Sequence, residues 1–239
     1  MNIQMEIVKL IYLQLMFNFL CTYCMKTKKN RIKPCILLTT TVHINNKIPL
    51  LYQKNKQERV DTYLKSIEKW LTYTSLPIVV VENSGYTFPE IKSPNLEIIA
   101  FDSKDYKYGK GQKGSKGVHE AFSILYALKH SIFLKNCSHF VKVTGRYFIP
   151  SFEPLLRSIP YSCKAIRQHD TTRCEVVGCK KSIGPSLFEL PMKLKNKLES
   201  HVESVYQERI NQLSPVVTLP MLKITPTKRG GVNETFTSL

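Results

Sequence analysis

An α/β architecture, with a mostly parallel central sheet flanked by helices, is the fold that this 239-residue sequence predicts. Three observations predict it. Apolar runs of strand length are bounded by turn residues, stretches with helical spacing of apolar residues separate them, and strand-helix-strand alternation of this kind calls for parallel pairing. With 43% hydrophobic and 22% charged residues the chain can bury a sizeable core, which excludes disorder for its bulk. It is read as a single α/β domain over 34–239, preceded by a separate segment 1–33.

That first segment is apolar, then basic. Residues 7–24 read IVKLIYLQLMFNFLCTYC, close to the length that crosses a bilayer core, although Lys9, Gln14 and Asn18 dilute it. Lys26, Lys28, Lys29, Arg31 and Lys33 follow, so the positive-inside rule would keep the domain cytoplasmic. The alternative expectation is a helix lying in the interface, or packed on the domain, while the basic run grips anionic headgroups.

From Cys35 onward the elements alternate. The run CILLTTT (35–41) reads as a buried strand, 56–73 as an amphipathic helix, and PIVVVEN (77–83) as a second strand ending in the turn residues Asn83-Ser84-Gly85. Residues 96–101 form a third strand candidate, a Gly/Lys-rich loop spans 108–117, a helix is predicted over 117–135, and His139–Thr144 is a fourth strand stopped by Gly145. Strand-like stretches at 163–168 and 173–180 and a helical stretch at 191–213 complete the domain. The Pro-interrupted residues 215–239 end in a polar segment read as a mobile tail or a loop closing over a site. Sites in such sheets lie at the carboxyl ends of strands.

Thirty-five Lys plus Arg against eighteen Asp plus Glu give a net charge of +17, which calls for an anionic partner: nucleotide, phosphorylated substrate, nucleic acid or membrane. The seven cysteines lack disulfide-framework spacing, and Cys21-Thr-Tyr-Cys24 has no second pair at zinc-site spacing, so buried thiols in a reducing compartment are expected. A basic nucleic-acid-binding protein is a rival reading, but no RRM, KH, helix-turn-helix or zinc-finger spacing appears, and no nucleic-acid partner is expected.

Two strings carry the candidate chemistry. Gly109-Lys-Gly-Gln-Lys-Gly114 spells GxGxxG at the wrong place for a dinucleotide fingerprint and in the wrong order for a P-loop. It still offers glycine backbone and cations ahead of a helix N-terminus, where an anion or plain solvent would sit equally well. Phe140-Val-Lys-Val-Thr-Gly-Arg-Tyr-Phe-Ile149 delivers Lys142, Thr144, Arg146 and Tyr147 around a strand end. Buried cations there either meet protein carboxylates, with Glu82 or Asp102 as partners, or face a bound anion such as a nucleotide diphosphate.

The ordered set Ile36-Leu-Leu-Thr-Thr-Thr41, Arg59…Tyr63…Ser66…Trp70, Val80-Val-Glu-Asn-Ser-Gly85, Gly109-Lys-Gly111 with Glu120, Lys142-Val-Thr-Gly-Arg-Tyr147, Arg173-Cys-Glu-Val-Val-Gly-Cys179, and Glu203…Tyr206-Gln-Glu-Arg209 with Gly230-Gly231 resembles GT-A-like glycosyltransferase-like proteins of large DNA viruses and bacterial surface-polysaccharide clusters. The resemblance covers nearly all of 35–235. It implies a GT-A-like fold, a nucleotide-sugar donor and transfer to a hydroxyl of a glycan or lipid-linked acceptor. The Asp-x-Asp motif that holds a divalent metal in that pattern is absent, with Lys142-Val-Thr-Gly-Arg146 near its expected place.

The expectation is therefore metal-independent transfer without a cofactor, fixed cations neutralising the leaving diphosphate. Lys142 and Arg146 would do so with Lys110 or the Gly109 and Gly111 backbone. Thr39, Thr40, Thr41, Arg59, Asn83, Ser84 and Thr144 complete the donor set. Glu203 is the first candidate for the base that takes the acceptor proton, Glu120 the second, and His169 with Asp170 would meet the acceptor. An inactive scaffold of the same fold is a further rival, whose signature would be loss of the strand-end cations.

Overall fold

A computed structural model describes residues 10–18, 31–44, 53–102, 116–191, 202–229 and 234–239. Nine residues of the first segment, 10–18, form helix α1, whose side chains are exposed. Among the described residues no helix is long and apolar enough to cross a membrane. The rest of segment 7–24, the basic residues 26–29, the Gly/Lys loop with Gly109, Lys110 and Gly111, most of 191–201 and Gly230-Gly231 lie outside the described residues.

The body is the expected α/β fold. Strand β1 (Pro34–Thr40) is wholly buried because its run of apolar side chains meets helices on both faces, as parallel strands require. Helix α2 (Lys56–Tyr73) starts where the Asn55 side chain accepts from the Glu58 N–H, and turns Arg59, Val60, Tyr63, Ser66, Ile67 and Trp70 inward at helical spacing. Strands β2 (Ile78–Glu82) and β3 (Leu96–Ala100) continue the sheet on one side of β1. The helix predicted over 117–135 is two: α3 (Lys116–His130) and α4 (Ile132–Asn136). The break is at Ser131, whose hydroxyl caps Leu134 N–H, while the Glu97 carboxylate accepts from the N–H groups of Ile132 and Phe133.

Strand β4 (His139–Thr144) pairs with β1 on the side opposite β2. Helix α5 (Phe152–Ser158), β5 (Ala165–Arg167), β6 (Val176–Lys180) and α6 (Gly184–Phe188) follow, then α7 (Val202–Asn211) and β7 (Val216–Thr218). The seven-stranded order is β3-β2-β1-β4-β6-β5-β7. Pairing is parallel throughout except where β6 runs antiparallel to both β4 and β5. The polar segment expected as a mobile tail or a loop closing over a site holds two paired strands, β8 (Lys223–Lys228) and β9 (Thr235–Ser238), tied to the body by Thr225 N–H donating to the Phe148 carbonyl at 3.1 Å.

One core cluster centres on Trp70, whose Nε1–H donates to the Tyr147 carbonyl at 2.9 Å; the other packs α3, α6 and α7 on the opposite face. Cys35, Cys137, Cys163, Cys174 and Cys179 are buried free thiols, as expected of cysteines used for packing.

His139 gives the fold a pH dependence. Its ring is fully buried, with Nε2 2.7 Å from the Cys163 carbonyl and Nδ1 3.0 Å from Ser138 Oγ. Burial lowers its pKa, the Cys163 carbonyl works against that, and the charge of Lys180 works with it. Below about pH 6.5 the unfolded chain therefore takes up a proton that the folded chain refuses, and stability falls until the folded pKa is passed. Thermal midpoints measured from pH 7.5 to 5 should fall, and His139→Gln should flatten that slope. Glu153 and Glu175, whose pKa values are lowered, act only in the more acidic carboxylate range.

Candidate active site

The sheet order reverses between β1 and β4, and at such a switch point connections leave in opposite directions and open a crevice beyond the carboxyl ends. Gly145 closes the floor of this one: its N–H donates to the Thr39 carbonyl at 3.0 Å, and a Cβ there would lie 2.6 Å from Thr40 Cγ2 and 2.7 Å from Thr39 O. Only glycine lets β4 turn so close to β1. The next residue is Arg146.

Arg146 is half-buried, and its Nε is shut off from solvent without a hydrogen-bond partner. The guanidinium lies 5.6 Å from the Tyr147 ring centroid. Burial opposes its charge, and the hydroxyl groups of Tyr63 and Tyr147 offset that. Tyr147 Oη is likewise buried without a partner. Arg59 reaches the same place from α2, donating from Nε to Thr41 O at 2.7 Å, from Nη1 to Gln53 O at 3.2 Å and from Nη2 to Tyr63 Oη at 2.9 Å. Among the described residues every hydrogen-bond partner of Arg59 is neutral, and no carboxylate lies within ion-pair distance of Arg59 or Arg146. Lys116, at the start of α3, completes the group: partial burial, then the charges of Arg146 and Arg59, lower its pKa. Arg146 and Arg59, which meet no carboxylate among the described residues, are costly to hold this close to a third cation unless an anion joins them.

Lys142 is not part of that opening. Its side chain is 1% exposed, and its ammonium is ion-paired with Glu120 Oε1 at 2.8 Å and donates to the Cys174 carbonyl at 2.7 Å. Burial opposes its charge, but Glu120, Cys174 and Glu175 together outweigh burial, so its pKa is raised. Of the two alternatives for Lys142, a protein carboxylate or a bound anion, the structure shows the ion pair, with Glu120 rather than Glu82 or Asp102 as partner. Thr39 Oγ1 donates to the same Glu120 oxygen at 2.6 Å.

Glu82 has a different use. Fully buried at the end of β2, it accepts from Val42 N–H (2.7 Å), Ser84 Oγ–H (2.6 Å), Ser84 N–H (2.8 Å) and Tyr86 N–H (2.9 Å). Ser84 Oγ also accepts from the N–H groups of Val42 and His43. Thr40 donates to Val81 O, Thr41 to Asn83 Oδ1, and Asn83 Nδ2 to Ser123 Oγ. The polar residues expected to hold a nucleoside do gather at one edge, but these groups lock the ends of β1 and β2 together. Thr144 is half-buried beside them, its N–H donating to the Glu175 carbonyl at 3.0 Å.

Because β6 runs antiparallel, its start lies at the edge where β4 and β5 end, which brings Arg173 to Glu175 and His169-Asp170 onto the same rim. Glu175 Oε1 pairs with Arg173 at 2.9 Å and Arg229 at 3.5 Å, both guanidinium groups lie 5.2 Å from the Phe236 ring, and Glu175 Oε2 is buried without a partner. An open cleft of about 490 Å³ beside them is lined by His169, Asp170, Thr171, Arg173, Met221, Ser238 and Leu239. One Asp170 oxygen is spent on the Thr172 N–H and hydroxyl, which with the charges of Arg173 and His169 hold its pKa low.

Glu203 stands in the first turn of α7, half-buried, with no hydrogen bond or ion pair among the described residues. A Cβ on Gly117 would meet Val202 at 2.5 Å, so the glycine lets α3 and α7 close up. Burial and then the charges of Glu120, Cys174 and Glu203 raise the pKa of Tyr206, whose buried hydroxyl lacks a partner. Glu203 and Glu120, 83 positions apart in sequence, thus both act on the Tyr206 hydroxyl. Sequence reasoning did not foresee Tyr63 and Tyr147 beside Arg146, whereas Lys116 was expected, with Lys110 and Lys113, among the cations ahead of the helix, and it stands at the start of α3. The first two stood in the quoted strings, but nothing in their spacing marked them as polar rather than core. Among the described residues no three His, Cys, Asp or Glu side chains group as metal ligands.

No family model matches the chain, and no curated protein matches it. Among solved structures, it is similar to a candidate nucleotide-diphospho-sugar transferase from Desulfovibrio desulfuricans G20, with a TM-score of 0.47 and 14% identity over 79% of this chain and 80% of that one. It is also similar to a glycosyltransferase involved in the glycosylation of the major capsid of PBCV-1, with a TM-score of 0.42 and 9% identity over 78% of this chain and 82% of that one.

Proposed function

We propose that this protein is a glycosyltransferase that takes a nucleotide-sugar donor and transfers the sugar to a hydroxyl of a glycan or lipid-linked acceptor, without a divalent metal. The observation that carries the proposal is the switch-point crevice in which, among the described residues, Arg146 and Arg59 meet no carboxylate, with Lys116 beside them. The resemblance of the ordered motifs to GT-A-like glycosyltransferases supports it. The donor diphosphate accepts from Arg146, whose fork suits phosphate oxygens, while Arg59 supplies charge and holds Tyr63 in place. The acceptor enters along the rim cleft at His169 and Asp170. Its oxygen bonds to the anomeric carbon as the bond to the diphosphate oxygen breaks. The hydroxyl proton passes to the Glu203 carboxylate, and the positive crevice stabilises the departing charge.

A thermal-shift screen against UDP, GDP, CMP, ADP and their sugar conjugates, in EDTA and in Mn²⁺, tests this reading. A selective shift that persists in EDTA is expected, since a ligand at a hundred times its Kd stabilises by about 2.7 kcal/mol. A shift that needs Mn²⁺ would overturn metal independence, and shifts with polyanions alone would favour nucleic-acid binding. With the donor found, Glu203→Gln should lower kcat by about 10²- to 10⁴-fold and leave nucleotide affinity unchanged. An unchanged kcat would remove Glu203 as the base.

A further inference from the structure

Every apolar side chain of helix α1 is exposed. Leu10 is 70% exposed, Leu13 67% and Phe17 68%, and Ile11, Tyr12, Leu15 and Met16 are exposed beside them. Gln14 and Asn18 are four apart, so they form one narrow polar stripe on an otherwise apolar cylinder. A soluble chain rarely leaves so much contiguous apolar surface in water, and a patch of this kind marks an interaction surface. Its surroundings decide the partner. Two exposed cations, Arg31 and Lys33, lie on the body at the near end of the connecting segment. They are fixed there by the Arg31–Pro160 bridge, by Lys33 N–H donating to Ser138 Oγ at 2.7 Å, and by Ser138 N–H donating to the Lys33 carbonyl at 3.0 Å. No acidic residue falls between Leu10 and Lys33, and the chain as a whole carries +17. An acidic protein groove would match the charge but not an apolar face that wraps most of the helix. An anionic lipid surface matches both, because it offers acyl chains at a depth the helix can reach and negative headgroups at the level of the cations.

We infer that α1 lies in the interface of an anionic membrane, its polar stripe toward the headgroups, and that Arg31 and Lys33 dock the body on the same surface. Docking of this kind is independent of what the switch-point crevice binds.

Co-sedimentation of the full chain with vesicles of phosphatidylcholine alone, and of phosphatidylcholine mixed with phosphatidylserine, tests it. The wild type should bind the mixed vesicles more tightly than the neutral ones, and more weakly as salt is raised. Leu13→Glu with Phe17→Glu should weaken binding at least about tenfold, since each side chain leaves the acyl region. Arg31→Gln and Lys33→Gln should each cost about fivefold on mixed vesicles and little on neutral ones. These substitutions are exposed, and an unchanged thermal midpoint confirms that the body still folds. Absence of sedimentation with either vesicle at low salt would overturn the inference, as would equal binding by the Leu13→Glu, Phe17→Glu variant. A dimer in light scattering that this variant dissolves, without vesicle binding by the wild type, would assign the helix to a second copy of the chain instead.

Discussion

Arg146→Met is expected to abolish the thermal response to the nucleotide while leaving the ligand-free protein as stable as the wild type, or slightly more stable. The two halves of that result come from one fact. Among the described residues Arg146 has a buried Nε with no acceptor and no carboxylate within ion-pair distance, so in the absence of ligand only the Tyr63 and Tyr147 hydroxyl groups offset the burial of its charge. Methionine has a comparable apolar stem and no charge, and Lys116 and Arg59 would then feel one neighbouring cation fewer. Charge-assisted hydrogen bonds to phosphate are worth about 1.5–3 kcal/mol each, so affinity should fall about 10- to 100-fold for a single lost contact. Differential scanning calorimetry with and without nucleotide reads both quantities. If the free variant instead loses several kcal/mol and still binds nucleotide normally, Arg146 is structural and the crevice is not where the diphosphate sits. Lys116→Met should weaken binding in the same direction but less, because Lys116 is exposed and water screens it.

How much of this was legible in the sequence follows the range of the interactions. The strands β1, β2 and β4 and the whole of α2 are written in local pattern: apolar runs ended by Thr, Asn-Ser-Gly or Gly, and a stripe from Arg59 to Trp70 at helical spacing. The hairpin of β8 and β9 was not legible. KITPTK and TFTS are polar on the exposed side and contribute little to the core beyond Ile224, so their pairing rests on backbone bonds that no composition reveals. The antiparallel direction of β6 was equally hidden, because a buried strand has the same apolar look in either direction, and with it the placing of His169 and Asp170 on the site's rim. In the site, the cations were visible as types, but their division of labour was not. Lys142 and Arg146 are four residues apart on one string, yet one faces α3 and the other the crevice, and only the packing of α3 over β1 and β4 decides which of them finds a carboxylate.

That division makes Lys142→Met the destabilising counterpart of Arg146→Met. Lys142 Nζ is enclosed between Glu120 Oε1 and the Cys174 carbonyl, and removing it leaves a partly covered carboxylate and a carbonyl without their donor. Breaking a buried pair from one side costs about 3–5 kcal/mol. Glu120 keeps 21% exposure and the Thr39 hydroxyl, so water and one hydrogen bond soften the loss and the lower end of that range is expected. Glu120→Gln alone should cost less than Lys142→Met, because the amide oxygen can still accept from Thr39 and from the ammonium. The double variant Lys142→Met, Glu120→Gln should recover much of the loss, giving a coupling energy above about 1 kcal/mol in urea titrations. None of the three should change nucleotide affinity by more than a few-fold if the pair supports the crevice from behind. A Lys142→Met protein that folds normally but cannot bind nucleotide would put the ammonium against phosphate after all, with Glu120 as a partner it leaves when the donor arrives.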